Sequence, residues 1–215
     1  MKIYLTNINE SWIVDRIRSE WISNNKKITT KYSYLSEIIW DVAPWTTKPS
    51  FLKKFKNKKI IQSIYHIEDT SFQSKEVENI INNDKFINGY HVISPKTKKE
   101  LSQLTNKPIF YLPLWVNQNI WYHKKNKIEL RNKYGFDTSE YLVGSFQRDT
   151  EGTDLKSPKL IKGPDIFVKT IKILKEKIPE LFVLLSGPSR GYVKKELEKI
   201  NVKYKHLNFS NYEDL

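Results

Sequence analysis

Apolar residues recur along the chain in two spacings, and the spacings alternate. Lys2 to Ile8 reads as a first strand. Ile13, Ile17 and Trp21 then share one helical face behind Ser11, a suitable N-cap. Short apolar runs follow at Glu37 to Val42, stopped by Ala43-Pro44, and at Lys59 to Tyr65. Ser74 to Asn82 has helical spacing through Val77, Ile80 and Ile81, and Tyr90 to Ile93 is strand-like. Ser94-Pro95 caps and opens a helix through Leu104, and Ile109 to Leu112 is a strand closed by Pro113. Strands separated by helical stretches predict a parallel sheet with crossover helices.

From Leu114 to Lys127 the period lapses, as in a linker or a long functional loop. It resumes with a short helix from Ile128 to Tyr134, ended by Gly135. A strand begins at Tyr141. Phe167, Ile171, Leu174 and Ile178 then form a helical stripe behind Pro164. Leu181 to Ser186 is a buried strand that turns through Gly187-Pro188-Ser189-Arg190-Gly191 into a helix carrying Val193, Leu197 and Ile200. Lys205 to Phe209 is a last short strand. The pattern predicts two α/β units with a hinge near residues 114–127.

Composition narrows the class. A chain of 215 residues with 39% hydrophobic residues can bury a real core. It contains no apolar run long enough to span a bilayer and no apolar core of a signal peptide at its start. Cysteine is absent, which excludes disulfide and thiolate chemistry and fits a reducing compartment. The formal charge of +13 points to anionic partners: nucleic acid, acidic lipid or a phosphorylated substrate. A Lys-, Asn- and Ile-rich composition explains much of that charge as a solvated face. The densest cluster, Phe51 to Lys59, places Lys53, Lys54, Lys56 and Lys58 among Phe51, Leu52 and Phe55. It reads either as an ordinary surface helix or as a basic helix on an anionic membrane.

The chemistry concentrates in Tyr141 to Asp165. An apolar strand there reaches a Gly144-Ser145 turn, Arg148 follows, and Lys162-Gly163-Pro164-Asp165 opens a helix. Helix-start amides beside a cation hold anions, and strand ends of parallel sheets are where such folds bind ligands. The alternative is that Arg148 and Lys162 are two solvated loop charges. Walker-type, GxGxxG, HExxH and GxSxG motifs are absent, and the four histidines lie far apart. Asp149-Thr150-Glu151 has the look of a metal motif, but acids on a polar loop more often pair with nearby lysines.

These residues carry a resemblance. GSFQRD, followed by KGPD and its helix, resembles the donor site of family 4 glycosyltransferases. Tyr111-Leu112-Pro113 and Val116-Asn117 resemble that family's interdomain segment. His66 in SIYHIED is placed like its strand-end His-Asp, with Asp69 displaced by two residues, and HVIS at 91–94 is also similar. The resemblance implies two Rossmann-like parallel-sheet domains (the GT-B fold), the second incomplete. Residues 1–113 would form the acceptor-side domain, 114–139 a linker and short helix, and 140–215 the first part of the nucleotide-sugar domain.

It further implies a retaining hexosyl transfer from a nucleotide sugar to a hydroxyl of a saccharide or lipid-linked acceptor. No cofactor and no metal would take part. Arg148 and Lys162 would meet the donor diphosphate, Ser145 and Gly187 would line the donor site, and His66 would contact the sugar or acceptor. The location implied is cytoplasmic, on the inner membrane face if Lys53, Lys54, Lys56 and Lys58 make a peripheral contact. The pattern departs from the family in three places. Extra loop residues separate the arginine from its lysine, so Lys156 and Lys159 compete with Lys162. Thr6-Asn7-Ile8-Asn9 stands where a glycine-rich loop is usual. The acidic E-x7-E segment is absent, so a C-terminal truncation and an inactive isolated chain are expected. A basic nucleic-acid-binding module and a catalytically degenerate binding protein are the competing classes. The first is disfavoured because the aromatic residues fall mostly on core positions.

Overall fold

The computed structural model describes residues 1–9, 13–67, 74–123, 125–151 and 154–207. They fall into two compact units, one ending at Trp115 and one beginning at Val116. The expected class is observed: each unit is a parallel sheet with crossover helices.

In the first unit β1 (Ile3–Leu5), β2 (Ile38–Asp41), β3 (Lys59–Ile64), β4 (Gly89–Val92) and β5 (Ile109–Tyr111) lie side by side in chain order. The helices are α1 (Ile13–Asn24), α2 (Pro49–Lys54), α3 (Lys75–Asp84) and α4 (Pro95–Leu101). Two of the helix starts follow their sequence signals. The Ser74 side chain accepts from Val77 N, and Ser94 accepts from Thr97 N with Pro95 at the first helical position. The proposed cap Ser11, and Asp69, lie outside the described residues.

Strand alternation sends Ile39, Ile60 and Tyr90 to one face, under Leu52 of α2, Val77 and Ile80 of α3 and Leu101 of α4. It sends Leu5 and Trp40 to the other, where Val14 and Trp21 of α1 cover them. Trp21 meets Trp40 edge-on at 5.5 Å.

Helices on opposite faces require a reversal of winding, since parallel crossovers keep one hand. Residues 28–30 supply it. Ile3 N donates to Ile28 O at 2.8 Å and Thr30 N to Ile3 O at 3.0 Å, a parallel bridge on the edge of β1 away from β2. The chain therefore winds outward from β1 through α1, returns across β1, and winds the other way through β2 to β5. The reversal falls between β1 and β2. Loops at the carboxyl ends of such a pair form the usual ligand crevice of an open α/β sheet.

A buried carboxylate organises those loops. Asp41, at the end of β2, is fully buried. Its Oδ1 accepts from Thr6 Oγ1 at 3.2 Å and Thr47 Oγ1 at 2.6 Å, and its Oδ2 from Gln62 Nε2 at 2.9 Å. Thr6 Oγ1 in turn accepts from Val42 N at 3.2 Å. One side chain thus joins the loops after β1 and β2 to β3. The lysine-rich segment is tied down as well. Leu52 and Phe55 are core residues, so the apolar side of α2 packs on the first unit's core. Lys58 bonds the carbonyls of Tyr34 and Ser36.

The second unit holds α5 (Lys127–Tyr134), β6 (Tyr141–Ser145), α6 (Pro164–Lys177), β7 (Leu181–Ser186), α7 (Gly191–Lys199) and β8 (Tyr204–Leu207). Gly135 ends α5 in the left-handed conformation, with φ of 66°. The strands pair in the order β6-β7-β8. Ile171 of α6 and Val193 and Leu197 of α7 pack on Val183 and Leu185.

Burial raises the Asp41 pKa above its ordinary value despite the three donors. A carboxyl whose folded pKa is raised favours the fold below its unfolded pKa, and that contribution is lost as pH rises through the folded pKa. Asp41→Asn keeps an acceptor for Thr6 and Thr47, and Gln62 can turn its amide to match. The stability of Asp41→Asn relative to wild type should therefore increase as pH rises from about 4 and then level off. Urea unfolding at a series of pH values measures it, and a flat difference would refute the assignment.

Candidate functional site

The carboxyl end of β6 carries the basic loop singled out in the sequence. Ser145 closes the strand in register with Leu185 of β7. Arg148 follows, and its Nε donates to Thr150 O at 2.8 Å. Gln147 donates from its side chain to the carbonyl of Lys162, so the loop bearing Arg148 is joined to the turn that opens α6. That turn ends at Gly163 with φ of 65°, and no side chain caps the helix behind it. The 14-residue α6 thus presents its N-terminal amides next to Lys162. Arg148 and Lys162 thus stand on two segments that one hydrogen bond joins. Lys159 binds Glu151 Oε2 at 3.3 Å, Lys156 is exposed on the intervening loop, and Lys162 is exposed just before α6.

Asp149 turns inward. Its carboxylate is 1% exposed and lies 3.4 Å from Nε of Arg190, itself fully buried. The Tyr192 and Val193 amides of α7 and the Arg190 charge pull the Asp149 pKa down, but burial outweighs them and raises it. Burial likewise lowers the Arg190 pKa. Arg190 Nη2 donates to Ser145 Oγ at 2.7 Å. Asp149 N and Thr150 Oγ1 both donate to Ser189 O at 3.1 Å, holding Ser189 in the left-handed region at φ of 59°. The loops after β6 and β7 are therefore clamped together. The clamp is tightened at Gly191, where an added Cβ would collide with Leu155 O. Gly187 has φ of 87° and accepts at its carbonyl from His206 Nε2 at 2.9 Å.

His66 belongs to the first unit. It lines an open cavity of about 750 Å³ with Trp45, Lys48, Gln62, Lys75 and Glu76, at the carboxyl ends of β2 and β3. Trp45 is half-exposed there and meets Tyr65 edge-on. On the α1 face, His91 shares a hydrogen bond with Ser63 Oγ at 2.9 Å and reaches Leu112 O at 2.9 Å, while Trp40 Nε1 donates to the same serine. This network is buried and joins β2, β3 and β4 to the chain leaving β5. The HVIS resemblance is thus a framework feature.

Sequence reasoning missed Asp41 and Arg190. Asp41 lies inside the apolar run Glu37 to Val42 and carries no motif of its own. Arg190 carried a usable signal: a cation at a helix N-terminus opposes the helix dipole, so a buried anion must face it. The Ile28-Thr29-Thr30 bridge is too short for any periodic signal.

No protein-family model matches the chain, and no curated protein matches it. Solved structures do. Anabaena HepE in complex with UDP-glucose aligns with a TM-score of 0.64 at 11% identity, over 98% of this chain and 69% of HepE. The same protein with UDP and glucose gives 0.65 at 12% identity, with the same coverage. Sucrose-phosphate synthase from Thermosynechococcus elongatus gives 0.61 at 14% identity, over 97% of this chain and 53% of the synthase. The chain thus spans about two-thirds of HepE and about half of the synthase. At these identities the likeness establishes the fold, which is the paired parallel-sheet architecture of GT-B glycosyltransferases.

Proposed function

We propose that the chain binds a nucleotide sugar at the second unit and serves a retaining, metal-independent glycosyl transfer to a hydroxyl acceptor held by the first. The observation that carries this reading is the hydrogen bond from Gln147 to the Lys162 carbonyl, which ties the loop bearing Arg148 to the uncapped start of α6. In this reading the two side chains and the helix terminus together supply the positive potential that a diphosphate needs. Glycosyl transfer by dissociation leaves negative charge on the departing diphosphate, and preorganised donors placed where charge develops lower the barrier. The same cations fill the place a divalent metal takes in other transferases. The acids of the Asp149-Thr150-Glu151 segment are already engaged, Asp149 with Arg190 and Glu151 with Lys159. His66 and Trp45 suit a saccharide acceptor, the imidazole as a hydrogen-bonding group and the indole as a stacking face.

The clamp is a positioning device in this reading. Arg148 is next to Asp149, and Asp149 is fixed by Arg190. Truncating one partner of a buried pair leaves the other charge uncompensated, at a cost of about 3–5 kcal/mol.

Three outcomes follow for UDP binding measured by calorimetry. Arg148→Ala should weaken UDP about ten- to a hundredfold, the loss of one charge-assisted hydrogen bond, without moving the unfolding midpoint. Unchanged affinity would remove Arg148 from the site. Arg190→Met should lower both stability and UDP affinity, and Arg190→Met with Asp149→Leu should recover stability beyond the single variant. If the single variant is as stable as wild type, the clamp has no structural weight. Chelator should leave UDP-glucose affinity unchanged, whereas a strict Mn²⁺ requirement would reassign Asp149 and Glu151.

A further inference from the structure

A second cavity, of about 510 Å³, opens at the winding reversal of the first unit. It adjoins the His66 cavity across Thr46-Thr47-Lys48, which line both. Its floor is apolar, with Tyr4 and Phe51. Its walls carry Asn7, Ser50, Lys48 and Lys54, and among the described residues its lining contains two lysines and no carboxylate. The His66 cavity differs in kind, since Glu76 lies in its wall. Lys54 Nζ sits 5.5 Å from the Phe55 ring, a cation–π contact that favours a settled position for the side chain.

The hydrogen-bond polarity of the walls decides what fits. Thr47 donates its hydroxyl hydrogen to Asp41, as does Thr6. Thr6 also accepts from Val42 N, so it is Thr47 that is left as an acceptor, suited to a hydroxyl donor of a ligand. Lys48 and Lys54 bring only donors and positive charge, and the Asn7 amide and Ser50 hydroxyl add further donors. A ligand matching both sets is a polyhydroxy compound with an anionic group.

We propose that this cavity binds the phosphate monoester of a phosphorylated saccharide, with Lys48 and Lys54 meeting the phosphate and Thr47 accepting from a ring hydroxyl. Two lysines and two neutral donors match the several acceptor oxygens of a phosphate monoester, which carries close to two negative charges at neutral pH. That this phosphosaccharide is the acceptor of transfer rests on the reading of the first unit as the acceptor side. The anion site itself does not.

The test is a titration of ¹⁵N-labelled protein with inorganic phosphate, glucose 6-phosphate and glucose, following the Asn7 and Ser50 amides. Saturable shifts are expected with the two phosphates and much weaker ones with glucose. Lys48→Ala/Lys54→Ala should weaken glucose 6-phosphate at least tenfold. The charge-matched control Lys53→Ala/Lys56→Ala, on the same segment but outside the cavity lining, should not. Equal response to glucose and glucose 6-phosphate, or loss of binding in both double variants alike, would overturn the proposal.

A parallel arm uses vesicles containing phosphatidic acid. Vesicle binding that requires Lys48 and Lys54 while glucose 6-phosphate fails would place the phosphate on a lipid headgroup and overturn the saccharide assignment. UDP titrated into the same sample and read at Arg148 reports separately on the donor site, so loss of the transfer reading and loss of this one are distinguishable.

Discussion

In each unit a buried aspartate at the carboxyl edge of the sheet holds the loops that form the candidate site. Parallel strands end together on one edge, and the loops leaving them carry backbone and side-chain donors that the sheet itself does not satisfy. Asp41 gathers three such donors from Thr6, Thr47 and Gln62. Asp149 gathers the guanidinium of Arg190, which in turn holds Ser145. The solutions differ electrostatically. Asp41 is satisfied by neutral groups, so its charge is costly and its pKa rises. Asp149 has a full opposite charge at 3.4 Å and the first turn of α7 facing it, yet its burial still raises the pKa. Both carboxylates lie behind the surfaces a ligand would touch and act by orienting what stands in front of them.

Much of the fold is legible in the chain because its strands are short apolar runs bounded by Pro, Gly or a capping serine. The run Glu37 to Val42 becomes β2, and the capping signal at Ser94-Pro95 becomes the start of α4. The reversal of winding is not legible. It depends on one bridge at Thr29, whose neighbours have no apolar period, and on the division of α1 from α2–α4 between faces. That division follows from the alternation of Ile39 and Trp40, which a sequence shows without saying which helix covers which. Among candidate residues, Arg148 and Lys162 stand out in the sequence because they flank a strand and a helix start. Arg190 was hidden in a turn that looked like ordinary Gly-Pro punctuation.

The charge of +13 looks different once it is located. The Lys53 to Lys58 cluster suggested a membrane-facing helix because its apolar residues have helical spacing. Leu52 and Phe55 use that spacing to close the core, and α2 ends at Lys54. Lys54 instead lines the cavity at the winding reversal, together with Lys48 from the turn before the helix. Of the clustered lysines, Lys54 is thus the one that faces a concave surface.

The two helix starts in the second unit differ in what they offer an anion. Both α6 and α7 follow the carboxyl end of a strand, and either N-terminus would attract a phosphate. At α7 the position is taken from within: Asp149 faces the Tyr192 and Val193 amides, and Leu155 closes over Gly191 so tightly that a Cβ has no room. At α6 Gly163 offers no capping side chain, and Lys162 adds a positive charge in front of the amides. An internal carboxylate faces one helix end, and the second end is left positive, which is the basis for proposing the second as the diphosphate site. The long loop between Arg148 and Lys162 is then more than an insertion. It carries Asp149 against the start of α7, and Gln147 just before it holds the Lys162 carbonyl at the start of α6.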